Sequence, residues 1–329
     1  MRRFMVTGAC GCIGAWIVKN LVERGESVVI FDLARHLSRL GMIMDEEALT
    51  RPRFIHGDVS DTEAVKRCVA ENEITHIIHL AGLQVPACKA DPVRGAMVNV
   101  IGTLNIFEAA KAAKGQVQRV VFASSVAVFG PREDFQEFGE APIPNDAPQK
   151  PRTHYGVFKR CNEGNALVYY LEEGITSIGL RPWVVFGPGR DLGLTSDPTK
   201  AMKAAVLGRP FQIRFGGYVD MQFVDDVAKI FIRCAEAEFT GSKSFNLRGQ
   251  VVSVDSIIET IEKVVPASRG LITHTDNLIP MAPSLDDSEL RHEIGQIPAT
   301  PLEEGVRLTI ETFQRLQSEG RLDASELGN

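Results

Sequence analysis

The chain of 329 residues is most informative at first for what it lacks. It has no run of about 18 apolar residues, so no membrane-spanning helix and no membrane partner is expected. It has no surplus of positive charge: 36 Lys and Arg stand against 42 Asp and Glu, a net charge of −6. Nucleic acid is therefore not expected as a partner, since binding it takes phosphate-neutralising cations in excess. Met1-Arg2-Arg3 imitates the basic start of a signal peptide, but Gly8, Gly11, Gly14 and Lys19 break what would have to be an apolar core. Cysteines are few and scattered, at 10, 12, 68, 88, 161 and 234. Only Cys10 and Cys12 are close, and no His or Cys cluster joins them. Neither a disulfide framework nor a metal site is expected, and a reduced, cytoplasmic setting is the simplest expectation. Repeats and low-complexity tracts are absent. With 44% hydrophobic and 24% charged residues the chain has an ordinary folded composition, long enough for one large α/β unit or about two domains.

What is there is an alternation of buried strands and amphipathic helices. Phe4-Met5-Val6, Val28 to Phe31, Phe54 to His56, His76 to Leu80, Arg119 to Ala123 and Ser177 to Leu180 read as strands. Between them Ala15 to Arg24, Thr62 to Glu71, Pro92 to Lys114 and His154 to Glu173 read as helices. Gly25 suits an αL cap for the first, and Ser60 or Asp61 an N-cap for the second. Strands that are apolar throughout, separated by helices, imply an α/β fold with a doubly wound parallel sheet covered on both faces. Residues 133–151 read as a long loop, of a length that often borders active sites. After Gly187 the elements shorten. Helices are expected over Asp225 to Glu236, Ser253 to Val264 and Leu302 to Glu319, a strand at Phe245 to Leu247, and a frayed tail over 321–329.

Gly8-Ala9-Cys10-Gly11-Cys12-Ile13-Gly14 lies between the first strand and the first helix. Gly8 allows the tight turn, Gly11 lets backbone approach a pyrophosphate, and Gly14 lets helix and strand pack closely. The N–H groups around Gly11, Cys12 and Ile13 are candidate phosphate donors. Asp32 ends the second strand, where a carboxylate accepts from ribose hydroxyls and repels a 2′-phosphate. NAD is thus the expected cofactor, favoured over NADP. Arg35 and Arg39 nearby are read as solvated, although either could reach a 2′-phosphate. Asp58 and Val59 suit an adenine edge, or Asp58 serves as a helix cap. Cys10 and Cys12 read as small residues that fit the turn.

Tyr155 and Lys159 stand at i and i+4 on one helix face, and Ser124-Ser125 ends a strand about 30 residues earlier. At strand C-termini, a hydroxyl, a phenol and an ammonium can converge on a nicotinamide. Oxidising an alcohol needs a base for the hydroxyl proton. A free phenol, with a pKa of about 10, serves only if a cation stabilises its anion. Ser125 is the better candidate for polarising the substrate oxygen, Tyr155 for acid and base, and Lys159 for the cation; a surface Tyr/Lys pair is the alternative.

Thr7-Gly8-x-x-Gly11-x-x-Gly14, Asp58, Leu80-Ala81-Gly82, Asn99, Ser124-Ser125 and Tyr155-x-x-x-Lys159 resemble the extended short-chain dehydrogenase/reductase family, its NAD-dependent epimerase/dehydratase group. Arg181-Pro182 with Phe186 to Arg190, and Gln222 to Ala228, resemble two later segments of that family. The resemblance runs over about residues 4 to 317. It implies a Rossmann-type NAD-binding domain over 1–187, with residues 225–250 packing back on it. A smaller C-terminal α/β substrate-binding domain follows over 188–320. Leu80, Ala81, Gly82, Asn99 and Pro182, with Tyr155 and Lys159, would border the cofactor, Asn99 orienting the active-site loop or a relay water. A homodimer is implied too, built as a four-helix bundle from the helices around 95–113 and 155–173. Val100, Leu104, Phe107, Val157 and Phe158 are the candidate contacts unless they are core.

For the substrate the residues say less. Where nucleotide-sugar members of the family carry Asn and Arg, this chain has Val184 and Val219, which weakens a diphosphate clamp. Lys203, Arg209 or Arg214 could substitute. Gln84, Ser124, Ser125, Arg190, Thr195 and Ser196 are candidate ligands for a small polyhydroxylated or carboxylated substrate. The stretch 190–199 is otherwise an ordinary connecting loop. His154 reads as a solvated helix start, with an extra acid or base as the alternative, and Phe129 as a wall or core residue. The first expectation is hydride transfer between NAD and a secondary alcohol of a sugar, sugar acid or polyol. The alternative is a sugar epimerase or dehydratase that returns the hydride to the same NAD.

Overall fold

Twelve strands carry the architecture of the computed structural model, which describes residues 2–139, 141–282 and 284–328. In chain order they are β1 (Arg3–Thr7), β2 (Ser27–Asp32), β3 (Arg53–His56), β4 (His76–His79), β5 (Arg119–Ala123), β6 (Ser177–Arg181), β7 (Val184–Phe186), β8 (Phe211–Ile213), β9 (Tyr218–Phe223), β10 (Ser242–Asn246), β11 (Gln250–Ser253) and β12 (Ile272–His274). Seven form one parallel sheet in the order β10-β6-β5-β4-β1-β2-β3. Strand order reverses between β1 and β4, which opens a crevice at their C-terminal ends. Two small sheets, β11-β9-β7 and β12-β8, follow in the second half.

Alternation within each strand explains the two layers. Phe4 and Val6 point to the face covered by the Cys12–Glu23 and Val224–Glu236 helices, where Ile17, Leu21, Ile230 and Phe231 are buried. Met5 points to the other face, with Phe31, Ile77, Phe107 and Phe122. A third apolar cluster joins Phe129, Trp183, Phe186 and Phe215 to Ile257 and Phe313. Among the described residues no helix is long and apolar enough to cross a membrane.

Three sequence expectations differ from what is found. The helix expected over Pro92 to Lys114 is broken: Pro92–Ala96 and Gly102–Ala112 are α-helical, and Met97–Ile101 is a π-turn. The Thr103 hydroxyl and the Asn162 amide both donate to the Asn99 carbonyl, at 2.8 Å each, and so compete with regular helix bonding. The loop over 133–151 is partly ordered: Arg132–Phe138 holds two short 3₁₀ turns joined by a kink at Phe135, whose side chain is fully buried. Finally, 321–328 is docked rather than frayed. Buried Lys203 needs partners and takes the Asp323 carbonyl at 2.8 Å together with Glu326, while Arg321 donates to the Gly41 carbonyl at 2.6 Å. Residue 329 lies outside the described residues.

Candidate active site

The glycine turn fits a dinucleotide by what its glycines exclude. Gly8 has φ +65°, and a Cβ on it would lie 2.7 Å from the Ala81 nitrogen at the end of β4. A Cβ on Gly14 would lie 2.3 Å from the Gly8 carbonyl oxygen. The Cys12–Glu23 helix begins with no side chain capping its first turn, which leaves its N-terminal N–H groups and dipole for an anion. Asp32 accepts from the Cys10 N–H at 2.9 Å and from the Leu33 N–H at 2.8 Å, so its carboxylate is fixed beside the turn. Asp58 accepts from the Ser60 N–H at 2.8 Å, and the helix cap is Asp61, which takes the Ala64 N–H at 3.0 Å. Val59 is buried beside it, against Gly102.

At the other end of the crevice, Thr153 caps the His154–Glu173 helix by accepting from the Gly156 N–H at 3.0 Å. This starts the helix so that Tyr155 and Lys159 share one face. Lys159 is 5% exposed, donates to the Ala123 carbonyl at 2.6 Å and lies 5.5 Å from the Tyr155 ring centroid. Burial pulls the ammonium down to about 8. Burial pushes the Tyr155 phenol up, while the neighbouring Ser125 hydroxyl and then the Arg190 charge pull it back. Ser125, the second residue after β5, thus neighbours the phenol, and the Lys159 ammonium lies by the same ring.

The remaining candidates divide. Asn99 sits in the π-turn and clasps Leu83 by two bonds, accepting from its N–H at 2.7 Å and donating to its carbonyl at 2.9 Å. That holds Leu80, Ala81 and Gly82 against the turn, with the Ala81 N–H donating to Thr7 at 3.3 Å. The Asn99 carbonyl is saturated by Thr103 and Asn162, which leaves it no lone pair for a relay water. Pro182 is half-buried behind Ser125, its carbonyl accepting from the Val126 N–H at 3.2 Å. Arg190 donates to Thr195 at 2.7 Å, and its buried Nε has no partner. Gln84 stands across from it, its Oε1 2.7 Å from where a Gly193 Cβ would be. Two expected substrate ligands are turned away. Ser124 is 2% exposed and donates to Glu163, which also holds buried Arg181. Ser196 is fully buried and donates to the Gly193 carbonyl at 2.7 Å, closing a turn. His154 is solvent-exposed, as a helix start, and Phe129 is core.

The model of the NAD dependent epimerase/dehydratase family matches residues 4–247. The chain belongs to that family. It is an NAD-dependent enzyme of the short-chain dehydrogenase/reductase superfamily. A UDP-glucose 4-epimerase of Mycolicibacterium smegmatis is 30% identical over 321 residues, 95% of this chain and 98% of that one. Among solved structures, the UDP-glucose 4-epimerase of Thermus thermophilus in complex with NAD is similar with a TM-score of 0.79 and 25% identity, over 95% and 99% of the two chains. L-threonine dehydrogenase of Clostridium difficile shares the fold, with a TM-score of 0.81 at 21% identity over 98% and 99%.

Several functional candidates escaped sequence reasoning. Arg39 is not solvated: it is paired with Asp191 and donates to the Cys10 carbonyl at 2.9 Å. Buried His79 joins the turn to the π-turn. Its Nδ1 is 2.7 Å from the Thr7 hydroxyl and its Nε2 3.1 Å from the Thr103 hydroxyl. Because Thr103 spends its proton on Asn99, His79 Nε2 must donate and Nδ1 must accept from Thr7. Burial first, then the Lys159 charge, hold this imidazole down to about 3, so it is a neutral strut at working pH. An acidic or hydroxylated partner far along the chain leaves no local signal, which is why these were missed.

Proposed function

We propose that the enzyme is a sugar epimerase that oxidises one secondary alcohol of its substrate and reduces the resulting ketone from the opposite face. The observation that carries this is the meeting of Ser125, Tyr155 and Lys159 at the C-terminal edge of the sheet, in a chain collinear with UDP-glucose 4-epimerases. NAD, held by the Gly8–Gly14 turn, Asp32, Asp58, Val59, the Leu80–Gly82 crossover and Pro182, supplies the hydride acceptor. Tyr155, as phenolate, takes the hydroxyl proton and later returns it. Ser125 donates to the substrate oxygen and fixes its position. Lys159, 5.5 Å from the Tyr155 ring centroid, is the cation placed to stabilise the phenolate, and the Arg190 charge pulls the phenol down as well. The free Nε of Arg190, with Gln84 and Thr195, supports a role in holding a polar or anionic substrate group. On this reading residues 1–187 bind the cofactor, with 225–250 returning to that part, and 188–320 mainly shape the substrate site.

One observation favours the second reading, a dehydrogenase of a small polar substrate. Val184 and Val219 are fully buried, and two of the three basic residues that might replace a diphosphate clamp are engaged: Arg214 with Asp197, Lys203 with Asp323 and Glu326. Absorbance at 340 nm across free sugars, sugar acids and polyols, with nucleotide sugars followed by chromatography, separates the two. An isomer with a flat trace supports the epimerase. Substrate-dependent NADH overturns it.

The same reading includes a homodimer. Val93, Met97 and Ile101 on one helical run are solvent-exposed, as are Val157, Leu167, Val168 and Leu171 on the His154–Glu173 helix. Val93, Met97 and Ile101 are four residues apart, and Leu171 follows Leu167 by four and Val168 by three, which makes an apolar face suited to a four-helix bundle with a second copy. Of the residues read as either contacts there or core, Phe107 is core, and Val100, Leu104 and Phe158 are half-buried. Sedimentation should give a dimer that Leu171→Glu splits; a monomer in the unmodified protein overturns this part.

A further inference from the structure

The loop after β7 is tied to the first helix directly and to the glycine turn through Arg39. Trp16 Nε1, on the first helix, donates to the Pro188 carbonyl at 3.0 Å. Arg39 donates through Nε and Nη2 to the two carboxylate oxygens of Asp191, at 2.9 and 2.7 Å. Its Nη1 reaches the Cys10 carbonyl inside the turn, at 2.9 Å. Gly189, at φ +91°, lets the loop lie along the Arg39 side chain, whose Cδ is 3.5 Å from where a Cβ would be. The ion pair is only 20% and 25% exposed, so solvent screens it less than a surface pair. Arg190, Arg39 and Asp191 all act on the Cys12 thiol, which places the three charges around the first residue of the helix that opens the phosphate site.

Three segments far apart in sequence therefore share one fastening. They are the stretch after Asp32, the phosphate turn, and the loop whose next residue back from Asp191 is the cleft arginine, Arg190. A loop held in this way lies beside the turn whose backbone a dinucleotide phosphate would use. Planar two-point pairing by a guanidinium is geometrically specific, so the loop cannot lift without breaking both bonds.

We propose that Arg39 and Asp191 are positioning residues that strap the Pro188–Asp191 loop over the phosphate turn and slow the exchange of bound NAD. The proposal rests on the NAD reading above and extends it. An enzyme that gives hydride back to the cofactor it took it from gains by keeping that cofactor. An enzyme that must exchange NADH for NAD at every turnover is slowed by keeping it.

The test is the rate at which bound NADH leaves, followed as loss of its fluorescence when the loaded full-length protein meets excess NAD. Asp191→Asn keeps size and leaves the Arg39 bond to Cys10 in place while removing the charge and one of the two acceptors, so it weakens the strap alone. Arg39→Gln removes both contacts. We expect Asp191→Asn to speed release about tenfold, Arg39→Gln at least as much, and the double variant no more than Arg39→Gln. Salt at about 1 M should speed release from the unmodified protein and not from Asp191→Asn. Release rates of both variants within about twofold of the unmodified protein, with unchanged melting temperatures, would overturn the strap while leaving the NAD reading intact. Faster release in Arg39→Gln alone would also overturn it, assigning the effect to the Cys10 contact. No bound NADH in the unmodified protein would overturn the strap and the NAD reading together.

Discussion

The Gly8–Gly14 turn and the Gly187–Ser196 loop face the same crevice, yet the first works through backbone and the second through side chains. In the turn, function follows from what is missing: no Cβ on Gly8 or Gly14, and no side chain capping the helix start. In the loop, the proposed function rests on pairings: Arg39 with Asp191, Arg190 with Thr195, Trp16 with the Pro188 carbonyl. A backbone device tolerates almost no change. A side-chain device can be retuned one partner at a time, which is how one fold accepts many substrates.

Substitutions at the junction of the two regions should have the largest effect. Tyr155→Phe should cut turnover by about 10²- to 10⁴-fold with NADH binding and melting temperature unchanged. Turnover kept in that variant would remove the phenol from the chemistry. Next comes the contrast between glycines. A Cβ on Gly14 meets the rigid Gly8 carbonyl at 2.3 Å, whereas a Cβ on Gly193 meets the end of the flexible Gln84 side chain at 2.7 Å. Gly14→Ala should cost about 2–4 kcal/mol of stability and abolish NADH binding, and Gly193→Ala, whose φ is positive, about 1 kcal/mol with binding kept. Equal losses in chemical denaturation would erase the distinction between the regions.

Arg190→Gln should raise KM about 10- to 100-fold, the scale of one charge-assisted hydrogen bond, without changing NADH affinity. A fall in NADH affinity instead would move Arg190 to the cofactor side. The smallest effect is on stability. The Lys159 ammonium titrates at about 8 in the folded protein against an ordinary 10.5. Below pH 8 the folded state carries the cost of a buried cation; the cost fades as pH rises from 8 to 10.5, where the unfolded chain still binds the proton. Lys159→Met should therefore be the more stable protein at pH 7, by on the order of 1 kcal/mol, and lose that advantage above pH 10.5. Melting curves against pH check the sign, while activity should fall at every pH.

Legibility followed the same division. The parallel sheet, the turn and the Tyr155/Lys159 face were readable because each is local. Strand alternation, glycine spacing and an i, i+4 pair lie within a few residues of one another. The π-turn was not readable, since it depends on Asn162 reaching the Asn99 carbonyl from another helix. Ser124 and Ser125 looked alike in sequence, and only the side to which each hydroxyl points separates them, Ser124 to Glu163 and Ser125 to Tyr155. Arg39 looked like solvated charge because Asp191 lies 152 positions away. The docked tail was hidden for the same reason: its partner is Lys203.

The central claim is that hydride leaves and returns within one cofactor. The direct test is a substrate deuterated at the carbon that carries the reacting hydroxyl, incubated with the enzyme, excess NAD as an oxidant and a pool of unlabelled NADH in solution. The predicted result is an epimer that keeps its deuterium while no net NADH forms and the solution pool stays unlabelled. Deuterium passing into the pool, with an oxidised product accumulating, would contradict it.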